Sequence, residues 1–205
     1  MTHRSGDFSW LEDTEPLGDL YCVSFVRDIS PEEALRRFGV DESTMEEVTF
    51  EEMDERSAEN AEDAAGYIGA TEIEGWTLVI EPGGWQIAAD DDVRTRVSRG
   101  AEVVSVCRHD YAVDTFVHEI DGETIVCFDP MAPQDRSGRD LDRFADAMRD
   151  VGLDPDHDFE GPEIESPIPR AFALASRITG VPFTRDLLAL RFLGAEPAGE
   201  PSDHL

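Results

Sequence analysis

The sequence predicts an α+β fold, with an antiparallel sheet of about five or six strands packed with helices and a C-terminal helical segment. Three observations carry this expectation. Between residues 67 and 128, short β-branched and aromatic runs follow one another, separated by turn dipeptides such as Glu74-Gly75 and Asp121-Gly122. From Leu141 onward, apolar residues recur at helical spacing. Ahead of both, Ser30-Pro31-Glu32-Glu33 combines an N-cap serine, a proline at the first helical position and a glutamate three after the cap. The 205 residues are read as one α+β domain over 1–194 and a disordered tail over 195–205, rich in Pro, Gly, Ala and acid.

Each element follows from local chemistry. Phe8, Trp10 and Leu11 place an irregular or helical arm at the start. Tyr21 to Val26 reads as a strand, and Ala34, Leu35 and Phe38 give the capped helix an apolar stripe that Gly39 ends. Thr49 to Glu52 forms a second capping box, predicting a helix from Phe50 to about Asn60, with a mobile loop over the Ala- and acid-rich 58–65. Strands are expected at 67–73, 76–80, 103–107, 113–120 and 124–128, with one or two helical turns at 93–99. If Asp121-Gly122 is a two-residue loop, Ile120 faces Glu123, His118 faces Ile125 and Phe116 faces Cys127. Leu141, Phe144, Ala145, Met148 and Val151 mark a helix ended by Gly152. An acidic linker covers 154–169, a helix runs from Arg170 to Thr179, and Thr184 caps a last helix holding Leu187, Leu188 and Leu190.

Charge narrows the partners. The chain has 47 acidic and 17 basic residues, a net charge of −30, and every basic residue is an arginine. Such an excess repels a phosphate backbone and an anionic leaflet, which argues against direct nucleic-acid binding and membrane attachment. Apolar runs are far shorter than the roughly 20 residues of a membrane span, and the N-terminus carries no apolar signal region, so a cytoplasmic location is expected. The absence of lysine fits either base composition in a GC-rich genome or adaptation to high salt. The negative charge is uneven: residues 41–65 hold eleven carboxylates against Arg56, and 154–165 hold six more. Cys22, Cys107 and Cys127 have no metal-type spacing and read as reduced, buried strand residues.

Several segments together resemble a bacterial domain-of-unknown-function family, number 6461. They are Tyr21-Cys22-Val23, Ser30 to Gly39, Gly75 to Pro82 with Gly84-Trp85, Val103 to Val106 leading to Ala112-Val113, Phe128-Asp129-Pro130, the helix ending Val151-Gly152, and Leu174 to Leu188. The resemblance spans roughly residues 10–192 and implies one fold throughout. The family has no known activity, so the resemblance implies no catalytic residue.

Candidate sites follow from residue type and spacing. Asp154, Asp156 and Asp158 with Glu165 occupy positions one, three, five and twelve of a calcium-type loop, but position six is Phe159 instead of glycine. His109, Asp114 and His118, with Asp110, form a second, weak metal candidate if their strands pair. Nucleophilic, phosphate-loop, dinucleotide and metalloprotease motifs are missing from the sequence, and no cofactor is expected. The leading expectation is therefore a non-catalytic acidic protein binding a macromolecular, basic protein partner, as an immunity-like inhibitor or conflict-system accessory would. Its expected contact residues are Glu46, Glu47, Glu51, Glu52, Asp54 and Glu55, with Trp85 as an aromatic anchor. The alternative is a ligand- or metal-binding sensor, or an enzyme, using a cleft near Arg108, His109 and Asp114.

Overall fold

A computed structural model describes residues 5–13, 15–59, 66–109, 113–158 and 161–198. The strands are β1 (Tyr21–Arg27), β2 (Glu46–Val48), β3 (Ile68–Ile73), β4 (Trp76–Pro82), β5 (Glu102–Arg108), β6 (Thr115–Ile120), β7 (Glu123–Phe128) and β8 (Phe192–Ala195). They form one antiparallel sheet in the order β2-β8-β3-β4-β1-β5-β6-β7. The sheet therefore has eight strands, against the five or six expected. The two additional strands are β2 and β8, which are short and pair with each other.

The helices are α1 (Pro31–Arg37), α2 (Phe50–Glu59), α3 (Gln86–Ala89), α4 (Asp91–Ser98), α5 (Ala145–Val151) and α6 (Pro167–Thr179). They cover both faces of the sheet, so β1 and β4 are buried along almost their whole length. On the first face, Val23, Phe25, Leu78, Ile80, Val104, Phe116 and Val126 pack with residues of α2, α5 and α6 and with the 3-10 helix Ser5–Glu12. On the second face, Cys22, Val26, Val79 and Val103 pack under α1, α3 and α4 through Leu35, Ile87, Val93 and Val97.

α6 shows how sequence becomes packing. Proline starts it, Gly180 ends it in the left-handed region at φ 79, and the face between Ile168 and Ser176 is buried. Its Phe172 ring stacks on Phe183 at 5.1 Å and meets Tyr21 of β1 at 6.5 Å. Truncating that ring to alanine would cost about 3–5 kcal/mol.

Both hairpin turns form as their dipeptides require, with Glu74-Gly75 at φ 48 and 82 and Asp121-Gly122 at φ 51 and 78. Ile120 faces Glu123 as expected, but the register changes beyond it. Glu119 pairs with Thr124 and His118 with Val126, so Ile125 is the extra residue of a bulge, and Phe116 faces Phe128 in place of Cys127. Segment 137–140 supports the bulge from outside, with Arg139 and Asp140 N–H groups donating to the Thr124 and Ile125 carbonyls, each at 3.0 Å.

Other differences are local. Leu141 to Phe144 form turns before α5, and Leu141 stays exposed. The last helix is a 3-10 helix, Arg185–Ala189, without a side-chain cap from Thr184. Ala195 belongs to β8, and Pro197 bridges Val40, so the segment expected as a tail is ordered at its start. Of the loop expected over 58–65, Ala58 and Glu59 belong to α2, and 60–65 lie outside the described residues.

Candidate functional site

The acidic residues of 41–65 divide between a strand and a helix at one edge of the sheet. Val48 points inward from β2, while Glu46 and Glu47 are exposed. Thr49 then closes a reciprocal cap: its N–H donates to Glu52 Oε2 at 2.8 Å, and the Glu52 N–H donates to Thr49 Oγ1 at 3.2 Å. Phe50, Met53 and Ser57 turn into the protein at helical spacing, which leaves Glu51, Glu52, Asp54 and Glu55 outside. Glu46 thus shares the face of α2 with Glu51, Glu52, Asp54 and Glu55 nearby in the chain, while Glu47 points to the second face of the sheet.

These six carboxylates are not equivalent. Arg56 ion-pairs with Glu46 and also donates to Tyr67 Oη at 2.8 Å, and Arg191 approaches Glu47 at 3.9 Å. The backbone N–H of Thr49 holds the Glu52 carboxyl below its usual range. Glu51, Asp54 and Glu55 form no ion pair among the described residues. Partial burial raises the Asp54 acid, and the neighbouring negative charges of Glu15 and Glu55 raise it further. On the second face of the same edge lies a shallow groove of about 180 Å³, with Ala70 and Leu193 beside Glu32, Glu47 and Arg191.

Trp85 stands elsewhere. It immediately precedes α3, packs against the second-face core and meets the His109 ring edge-on at 5.8 Å. Arg108 binds the Leu11 carbonyl at 3.1 Å and Asp19 at 3.2 Å. The His109 backbone N–H donates to Asp114 Oδ1 at 2.9 Å, which joins two of the expected residues. Burial nevertheless raises the Asp114 acid. His118 lies apart from them, fully buried, with Nε2 donating to Glu102 at 2.9 Å and its ring edge-on to Phe144. Burial lowers its pKa. Asp154 and Asp156 bind Arg149, and the Asp156 N–H caps back onto Asp154 at 3.0 Å. The Asp158 carbonyl accepts from the Gly161 N–H at 2.8 Å. Asp110 and Phe159 lie outside the described residues. Among the described residues, no group of three or more His, Cys, Asp or Glu is placed to hold a metal ion.

One constellation was missed by the sequence reading. Cys22 and Cys107 are joined in a disulfide, against the expectation of reduced thiols, because the register of β1 and β5 sets them directly opposite. Cys22 is also the partner of Glu81 on β4, so Glu81, Cys22 and Cys107 share one transverse row on the second face. Glu81 is 1% exposed, and burial raises its acid to about 7. Gln86 N–H donates to Oε2 at 2.9 Å, while Oε1 has no hydrogen-bond partner among the described residues. A signal was present, since Glu81 continues an apolar run from Trp76. The row itself needs the strand order. Cys127 is the free cysteine, and burial raises its thiol.

Among the described residues, no helix is long and apolar enough to cross a membrane. A family model described as a family of unknown function, DUF6461, matches residues 1–193. No curated protein and no solved structure matches the chain.

Proposed function

Taking the chain as a member of DUF6461, to which it belongs, we propose that it is a non-catalytic protein that binds a basic protein partner through the β2–α2 edge. The observation that supports this reading is the row of six exposed carboxylates carried by an edge strand and the first turns of the adjoining helix. Three of them, Glu51, Asp54 and Glu55, carry charge that no cation among the described residues offsets. Charge of this kind steers encounter and selects for a partner of opposite sign. An inhibitor of a basic toxin acting in the cytoplasm would present such a surface.

The test is affinity purification from the native host, followed by binding measurements with the recovered partner at low and moderate salt. Combining Glu51→Gln, Asp54→Asn and Glu55→Gln leaves the Thr49–Glu52 cap intact. The triple variant should bind about tenfold more weakly at low salt and show a shallower salt dependence. Unchanged affinity and unchanged salt dependence would refute the reading.

A further inference from the structure

The row of Glu81, Cys22 and Cys107 carries chemistry that is independent of the acidic edge. Residues directly opposite across antiparallel strands have Cβ atoms about 5 Å apart, so Glu81 leaves β4 beside Cys22, with Cys107 one strand further on. The cysteine Cα atoms are 4.1 Å apart, and both side chains are buried, Cys107 retaining 3% exposure. The carboxyl has one anchored oxygen and one without a partner, and no arginine among the described residues pairs with it. Burying such a group costs free energy that local packing does not recover. Gly84 lies against it: a Cβ there would stand 2.9 Å from Glu81 Cβ and 3.5 Å from Oε2. Gly84 and the Gln86 N–H thus cover the carboxyl.

We propose that Cys22, Cys107 and Glu81 form a thiol–disulfide centre that a small dithiol reduces and its disulfide reoxidises within the folded protein, with Glu81 exchanging the proton. One thiolate of the dithiol attacks Sγ of Cys107, the less buried of the two cysteines. A mixed disulfide forms, the Cys22–Cys107 bond breaks, and the departing Cys22 thiolate takes the Glu81 proton. The second thiol of the reagent then closes on the first and releases Cys107. The protein gains two electrons and two protons, and the dithiol becomes a cyclic disulfide. Glu81 recovers its proton from solvent. The sheet survives this cycle because β1 stays paired with β4 and β5 on either side of the bond.

Among the described residues, few charged groups surround the carboxyl. β1 and β5 contribute the two sulfurs, and His109 lies beyond the end of β5 beside Trp85. α2 brings the Ser57 hydroxyl, which donates to the neighbouring Pro82 carbonyl. α4 brings Arg94, which is held by the Ala88 carbonyl and by Glu119.

Thiol counting by alkylation and mass spectrometry tests the centre, with the fold followed by circular dichroism. Protein isolated without reductant and then denatured should show one reactive cysteine, Cys127. The folded protein treated with dithiothreitol should reach three with its spectrum unchanged. Glu81→Gln should slow reduction about tenfold near pH 6 and converge with the parent near pH 8, where the parent carboxyl has lost its proton. Three reactive cysteines without reductant, or reduction only as the fold is lost, would overturn the centre. A Glu81→Gln profile parallel to the parent would overturn the role of Glu81. Should that variant fail to fold, Glu81→Asp, which withdraws the carboxyl by one methylene, gives the same readouts.

Discussion

Replacing Glu81 by glutamine should change how stability depends on pH, and the size of the change follows from burial. The acid rises from an ordinary 4.5 to about 7 in the folded chain. Across that window the folded state holds a proton that the unfolded state has released. Stability from this group is therefore highest below pH 4.5, falls as pH rises, and reaches its full penalty above 7. A pKa difference of about 2.5, at about 1.36 kcal/mol for each, makes that penalty about 3 kcal/mol. Glutamine has no charge to bury, although its amide nitrogen inherits the position of the unpartnered oxygen at a cost of about 1–3 kcal/mol. Urea unfolding of the oxidised parent and of Glu81→Gln, near pH 5 and near pH 8 at one ionic strength, isolates the effect. Part of the penalty is already present at pH 5, so the stability difference between the two proteins should shift by about 2–3 kcal/mol in favour of glutamine at the higher pH. The other carboxylates titrate in both and cancel. A difference that stays constant with pH would refute the assignment of a buried, unpaired acid.

Two further outcomes are expected. Gly194→Ala places a Cβ 2.6 Å from Val48 Cγ2 and 2.7 Å from Tyr67 Cε1, between β2 and β3, and should destabilise the fold by about 1–3 kcal/mol in urea unfolding; an unchanged midpoint would contradict it. The melting temperature should rise between low and moderate NaCl as screening relieves the self-repulsion of a −30 chain, and a flat or falling response in calorimetry would count against that.

The elements legible in the sequence are those whose signals are local. Ser30 and Thr49 announce their helices because a cap and its glutamate lie three residues apart, and both caps form. Glu74-Gly75 and Asp121-Gly122 announce hairpins because positive φ at two successive residues is costly for most side chains. β2 and β8 were not legible: three residues with two glutamates, and four residues with a glycine, have no strand character until each finds the other. The hairpin register failed at Ile125 because the bulge is supported by segment 137–140, which is distant from the turn. The carboxylates of the acidic edge could be listed from composition, whereas their placement required β2. Cys22 and Cys107 are 85 residues apart, and Glu81 joins them only through β4 lying beside β1.

The position of β8 also sets an order of assembly. β3 with β4, and β6 with β7, close through two-residue turns and can pair as soon as they are synthesised. β2 cannot, since its sheet partner is β8, at the other end of the chain. The acidic strand leaves the ribosome early and waits unpaired until Phe192–Ala195 emerges to insert between it and β3. Loss of β8 would then take away the sheet partner of β2 while β1, β4 and β5 keep theirs.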